Sequence, residues 1–251
     1  MVNKFSMEKC HLWLTTEETK LESLKGATVV VIDVFLATTT LVTIMERGAH
    51  RIFPAASVED AHQLKAELGH SSLTGGELGG KRVEGFDCAH LPDDYTSERV
   101  TDKDIIFLSS NGTRAITGAK TANRLLLGNL RNAHAIADYI NQEAPEEVII
   151  ACAGSLGQFS LEDYICANII LPHLNVKNAN LNDAALFALD QRIDPHNVAE
   201  LAAKGRVGRN FQKSGLHELF EFAVDVGSST SIVGLHNGTE LKFMPVGSET
   251  K

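Results

Sequence analysis

The chain predicts an α/β fold, with helices layered on both faces of a largely parallel sheet in an α/β/α arrangement. Short β-favouring runs alternate with stretches of helical spacing in the order strand, loop, helix, the rhythm that parallel sheets produce. Three of these corners end in polar sets: Asp33 with Thr38–Thr40, Ser110–Arg114, and Gly154–Asp163. Near the end, Asn237-Gly238 lies between two strand-like flanks over Ser231–Met244, the signature of a β-hairpin. At 251 residues and 43% hydrophobic, the chain can bury a full core as one domain over 1–251, or as two closely packed sub-domains.

The elements follow in order. Residues 1–26 combine a short β-like opening, His11–Leu14, with a charged helical segment around Thr15–Leu24. Thr28–Ile32 is a β-favouring run that ends at Asp33, and a threonine triplet then leads into Leu41, Val42, Ile44 and Met45. A carboxylate at the C-terminal end of a buried strand lies where open α/β sheets place their ligand crevices. Thr38 or Thr39 either caps the helix that follows or offers its hydroxyl to a ligand. Plain helix capping accounts for Asp33 and Thr38 equally well at this point. Gly48–Ala56 reads as the next strand and Ser57–Leu68 as an amphipathic helix, started by Ser57 with Glu59 and Asp60 in its first turn.

Ser71–Pro92 breaks the rhythm, with glycines at 75, 76, 79, 80 and 85 and charges between them. It reads as a long irregular loop, a kind that is often functional. Tyr95–Thr101 predicts a short helix. The stretch Asp104–Gly118 then reads as strand (Ile105–Leu108), tight polar loop and helix, whose backbone N–H groups and helix dipole favour an anion. The competing reading, an Asn-Gly hairpin, conflicts with the helical spacing after Thr113. A helix over Arg114–Thr121, a strand over Arg124–Gly128 and a helix over Leu130–Gln142 come next. Val148–Ala151 is a strand, followed by a small-residue loop and a helix opened by Ser160 that runs through Ile170. Ser160 and Asp163 have the spacing of a capping box, a role that does not require Glu162. Helices are predicted over Asn182–Gln191, Asn197–Ala203 and Ser214–Ala223. Arg206 and Arg209, just before the last of these, read as solvated surface bases with a phosphate contact as the alternative.

Composition narrows the function. With 32 Asp+Glu against 23 Lys+Arg, the net charge is -9 and no basic run appears, which argues against nucleic acid and anionic membranes as partners. Cys10, Cys88, Cys152 and Cys166 are scattered without metal spacing, as expected of free thiols in a reducing cytoplasm. No signal peptide and no run near the ~20 apolar residues of a membrane span is read. Zinc is disfavoured because the histidines show no HExxH or close paired spacing. Nucleotide hydrolysis lacks its GxxxxGK[ST] loop. Convergence of the three corners would gather Asp33, Glu77, Glu162 or Asp163, Asn111 and Arg114 around one cavity. Separated carboxylates beside backbone amides suit a Mg²⁺ phosphate site, where the ion takes one or two carboxylates together with phosphate oxygens.

The segments VVIDVFLATTT (Val30–Thr40), GGELGGKRVEGFD (Gly75–Asp87), SSNGTRAI (Ser109–Ile116) and CAGSLGQFSLEDYICA (Cys152–Ala167) together resemble the 2-phosphosulfolactate phosphatase family. The resemblance implies a Mg²⁺-dependent α/β hydrolase of a small phosphorylated acid, converting phosphosulfolactate to sulfolactate and phosphate on the coenzyme M route, and a homodimer. It implies catalytic roles for Asp33, Glu77, Glu162 and Asp163, with Asp33 and Glu77 as the metal pair. It implies phosphate contacts from Asn111, Gly112, Thr113 and Arg114 and roles near the pocket for Gly154 and Ser160, to which the reading of the corners adds Thr38, Thr39 and Ser110 as substrate contacts. Three departures accompany it. Leu36 and Leu78 stand where the family pattern has arginines, and Cys88–Pro92 replaces its Gly-Asn-Ser-Pro run. Each lost charged hydrogen bond costs ~1.5–3 kcal/mol, which raises a second reading: a non-catalytic or repurposed ligand-binding paralogue.

Overall fold

A computed structural model describes residues 7–18 and 24–245. Eleven strands form one sheet in the order β5-β4-β6-β3-β11-β10-β7-β2-β8-β1-β9. They are β1 (Lys9–Trp13), β2 (Thr28–Ile32), β3 (Arg51–Ala55), β4 (Leu73–Leu78), β5 (Lys81–Arg82), β6 (Asp104–Leu108), β7 (Arg124–Gly128), β8 (Glu147–Cys152), β9 (Asn180–Leu181), β10 (Val233–His236) and β11 (Glu240–Phe243). The strand β2 lies at the centre of one parallel block, flanked by β7 and β8, with Val30 opposite both Leu126 and Ile150. All five of its residues are buried, which is why it reads as a continuous apolar run rather than an alternating one.

A second parallel block contains β4, β6 and β3. The hairpin β10–β11 joins the two blocks and pairs antiparallel to β7 on one side and β3 on the other. Passing through the hairpin reverses strand sense, so a flat sheet would put the ends of β2 and β6 on opposite edges. The expected convergence of the polar corners around one cavity therefore cannot come from a shared sheet edge. Helices α1 (Ala37–Glu46) and α4 (Gly112–Gly118) touch each other and strands of both blocks, and the twisted sheet curls around them. Leu41, Ile44, Ile52, Phe107, Ile116 and Leu127 fill the core on this face.

The remaining helices are α2 (Val58–Leu68), α3 (Ser97–Val100), α5 (Ala133–Glu143), α6 (Leu161–Ile170), α7 (Asp183–Asp190), α8 (Val198–Lys204), α9 (Arg206–Lys213) and α10 (His217–Val224). Most of them cover the other face of the β2 block, where Val30, Ile32 and Ile150 pack against residues such as Ile165, Ile169, Phe211 and Phe220. Among the described residues, no helix is long and apolar enough to cross a membrane. All four cysteines are buried free thiols.

Four sequence expectations change. Leu73–Leu78, read as irregular loop, is strand β4, and its glycines permit a close approach. A Cβ on Gly76 would lie 1.8 Å from the Leu108 carbonyl oxygen, and one on Gly75 would lie 1.9 Å from the Tyr95 hydroxyl. The helix after the central loop stops at Gly118 rather than Thr121. A separate helix, α9, occupies the segment read as surface bases between the last two predicted helices. The helical segment predicted around Thr15–Leu24 is a short turn over Thr16–Glu18, and residues 19–23 lie outside the described residues.

Candidate active site

A cavity of about 290 Å³ opens where the loops after β2, β4, β6 and β8 meet the start of α9. Asp33, Leu36, Glu77, Ser110, Asn111 and Arg206 are among the residues that line it. Of the residues expected to act here, Asp33, Glu77, Ser110 and Asn111 face the cavity directly.

Local sequence explains how each carboxylate is held. Asp33 follows the buried strand β2 and is 8% exposed. The backbone amides of Ala37 and Gly112, at the starts of α1 and α4, lie close enough to its carboxylate to favour the charged form. Gly112 has to be glycine for this approach, because a Cβ would lie 2.3 Å from the Ala37 Cβ and 2.8 Å from Asp33 Oδ2. Burial, then the charges of Glu162 and Glu77, push the Asp33 carboxyl up to about 7, and the two amides offset part of that rise.

Glu77 is held differently. Its Oε1 accepts from the Ser110 N–H at 2.6 Å, and its Oε2 accepts from the Gly80 N–H at 2.6 Å and the Ser110 hydroxyl at 3.1 Å. The Ser110 hydroxyl in turn accepts from the Gly79 N–H at 2.7 Å. The Gly-rich loop after β4 is thus folded onto the loop after β6 through one carboxylate and one hydroxyl.

The central loop was expected to present its amides to an anion, and most of them are already committed inside the protein. The Ser110 N–H goes to Glu77, the Ser109 N–H to the Thr113 hydroxyl at 2.9 Å, and the Thr113 N–H to the Ser109 hydroxyl at 3.0 Å. Thr113 is buried, and its own hydroxyl donates to the Ser109 carbonyl. The loop's amides are therefore used to hold the loop and its neighbouring carboxylate in place, and the Asn111 side chain is left lining the cavity. Asn111 Oδ1 accepts from the Leu156 N–H at 3.1 Å, which ties the loop after β6 to the loop after β8.

Other candidates sit behind the cavity or away from it. The Thr38 hydroxyl lies 2.8 Å from both the Asp33 and Gly128 carbonyl oxygens and shares its one proton between them, and Thr39 donates to the Val34 carbonyl. Both are fully buried inside the first turn of α1 rather than at its cap. Asp163 accepts from the Val34 N–H at 2.9 Å and the Gly154 N–H at 3.1 Å, stitching the loop after β2 to the loop after β8. Burial first, then Asp33 and Glu162, raise its carboxyl far above the ordinary range. Ser160 makes no capping bond and donates its hydroxyl to Glu162 Oε1 at 2.7 Å, so the capping-box reading of Ser160 and Asp163 gives way to these two contacts. Arg114 points out of the cavity, and its guanidinium pairs with Glu17 at 2.9 Å with both side chains well exposed.

Sequence reasoning missed His90, and it read Arg206 as a solvated surface base with a phosphate contact only as the alternative; both line the cavity. His90 lies beside the Glu77 wall, and its Nδ1 is buried without a hydrogen-bond partner among the described residues. Burial holds its imidazole toward the neutral form, partly opposed by Glu77 and Asp94. Arg206 and Asn210 enter from α9. The available signal for α9 was its pair of apolar residues four apart, Val207 and Phe211, whose helical spacing was overshadowed by the surrounding charges. Phe211 stacks on Phe35 with ring centroids 4.9 Å apart, which fastens α9 beside the Asp33 loop.

The fold and site define an α/β protein with an acidic, loop-built cavity at the ends of its strands. The family model of 2-phosphosulpholactate phosphatase matches residues 13–238, and the chain belongs to that family. It is 37% identical to a "Probable 2-phosphosulfolactate phosphatase" of Clostridium acetobutylicum over 182 residues, covering 72% of this chain and 77% of the relative. Proteins of the same printed name from Symbiobacterium thermophilum and Clostridium perfringens are 36% identical over 214 residues and 30% identical over 234. These matches cover 83% and 92% of this chain and 91% and 94% of the relatives.

Proposed function

We propose that the chain is a Mg²⁺-dependent phosphatase of a small phosphorylated acid related to 2-phosphosulfolactate. The observation that carries this reading is the shared cavity of Asp33 and Glu77 in a chain of this family. The donor chemistry fits the ion. Two buried carboxylates face one space, and burial first, then the charges of Glu162 and Glu77, push the Asp33 carboxyl up to about 7; a hard cation would relieve the like-charge part of that rise. The described residues contain no cluster of three or more His, Cys, Asp or Glu arranged to hold a metal. Mg²⁺ needs no such cluster, since it keeps several waters and takes one or two carboxylates with phosphate oxygens. Asp33 and Glu77 would hold it. When bound, Mg²⁺ supplies charge neutralisation at the phosphate and an activated water.

The chain's own residues do the positioning. Ala37 and Gly112 fix the Asp33 carboxylate, Ser110 and Gly80 fix that of Glu77, and the Asn111 side-chain amide faces the cavity as a donor to phosphate oxygen. Asp163 acts through the loops it ties and not on the ligand.

Purified protein should release phosphate from a panel of small phosphomonoesters with Mg²⁺ and not with excess chelator. Asp33→Asn should lower turnover by roughly 10³-fold or more while the protein stays folded. Silence across the panel with Mg²⁺ present would defeat the enzyme reading. It would favour instead the repurposed paralogue suggested by Leu36, which places an apolar side chain on the cavity wall. Restoring arginine at positions 36 and 78 separates the two: recovered hydrolysis marks a decayed site, and continued silence a different ligand.

A further inference from the structure

Among the described residues, the cavity has one permanent positive charge. Among its lining residues Asp33 and Glu77 are acidic, and Arg206 is the only arginine or lysine. The other arginines near the corners are engaged elsewhere, Arg114 with Glu17 and Arg209 with the Lys204 carbonyl. Arg206 makes no hydrogen bond or ion pair with any described residue, although it stands on a tightly seated element. Gly205 is packed so that a Cβ would lie 3.3 Å from Glu162 Oε2, and a Cβ on Gly208 would lie 2.1 Å from the Ala202 carbonyl oxygen. With the Phe211–Phe35 stack, these contacts fix the start of α9. Asn210 lies one helical turn beyond Arg206, so the two share a face of α9, and both line the cavity. Phe35 and Leu36 make the wall nearby apolar.

We propose that Arg206, supported by Asn210, binds the acidic group of the substrate remote from the phosphate, and that the site takes phosphomonoesters bearing one such group on a short carbon chain. The inference rests on the phosphatase reading above. Hydrolysis requires the phosphate at the Asp33–Glu77 end. The substrate's remaining anion is repelled by those carboxylates and gains nothing from Phe35 or Leu36, because an unpaired charge against apolar surface is costly. Arg206 is the group left to receive it, with a fork that matches a carboxylate or sulfonate. A second remote acid would find no further fixed cation among the described lining residues.

The test compares Mg²⁺-supported hydrolysis of glycerol 2-phosphate, 2-phospholactate and 2-phosphosulfolactate, which carry none, one and two remote acids. Wild-type protein should prefer 2-phospholactate to the other two. Arg206→Ala should lower kcat/KM for 2-phospholactate by roughly 10- to 100-fold, mainly through KM. It should leave glycerol 2-phosphate within about threefold. Arg206→Lys should recover part of the loss, and Arg209→Ala should change nothing. An equal loss on all three esters would place Arg206 on the phosphate and overturn the inference while leaving the phosphatase reading intact; a wild-type preference for the doubly acidic ester would do the same. If no ester is turned over, the phosphatase reading fails, and the inference is decided by binding. With Mg²⁺, 2-phospholactate should then raise the Tm of wild type but not of Arg206→Ala, and an equal response in both proteins would overturn it.

Discussion

Asp163 and Glu77 do the same mechanical work in two different settings. Each carboxylate accepts backbone N–H groups from two loops and ties them together: Asp163 joins Val34 to Gly154, and Glu77 joins Ser110 to Gly80. Asp163 is 2% exposed and surrounded by other acids, so its charged form is disfavoured, whereas Glu77 faces the cavity. The difference separates two jobs. The sealed carboxylate holds the site's frame, and the open one holds the frame and also faces the cavity.

Removing each staple should break this pairing unequally. Asp163→Ala strands two buried N–H groups, each worth about 1–3 kcal/mol, while relieving some like-charge repulsion. A net loss of about 2–4 kcal/mol, or roughly 4–16 °C in Tm for a chain of this size, is expected in calorimetry. Asp163→Asn, which keeps one acceptor, should recover part of it. Glu77→Ala exposes its donors to water at the cavity mouth and should cost no more than about 1 kcal/mol in stability, yet remove Mg²⁺-dependent turnover. Equal losses of stability in the two variants would erase the distinction.

A smaller effect follows from pH. The Asp33 carboxyl ordinarily titrates near 3.8 and in the fold is pushed up to about 7, so the folded protein holds that proton more tightly than the unfolded chain. The resulting stability is present below the ordinary carboxylate range and is lost as pH rises toward 7. Asp163 shifts in the same direction. Metal-free protein should lose several degrees of Tm between about pH 4 and pH 7. Asp33→Asn should flatten that slope, and a metal-free Tm that climbs steadily over the same window would contradict the assignment.

Much of this arrangement was legible in the sequence because it rests on local signals. The strand–loop–helix corners at Asp33, Ser110 and Gly154 follow from apolar runs broken by small polar residues, and the Asn237-Gly238 hairpin from its turn chemistry. What escaped depends on contacts distant in sequence. β4 was hidden by the glycines that let it lie against Leu108 and Tyr95, since backbone proximity leaves no hydrophobic pattern. The hairpin gave no hint that it would wedge between two parallel blocks and reverse their sense. Arg114 belongs to a motif that does build the cavity, but its side chain follows the helix outward to Glu17. The cation that faces the cavity, Arg206, lies more than ninety residues further along the chain and reaches it through the Phe35–Phe211 stack.

The central claim is that Asp33 and Glu77 share one ion beside a phosphate. Calorimetric titration of Mg²⁺ into wild type and Asp33→Asn, each with and without inorganic phosphate, tests it most directly. The account predicts that Mg²⁺ and phosphate each strengthen the other's binding to wild type, and that the substitution abolishes both. Equal Mg²⁺ affinity in the two proteins, or no Mg²⁺ binding to wild type with phosphate present, would contradict it.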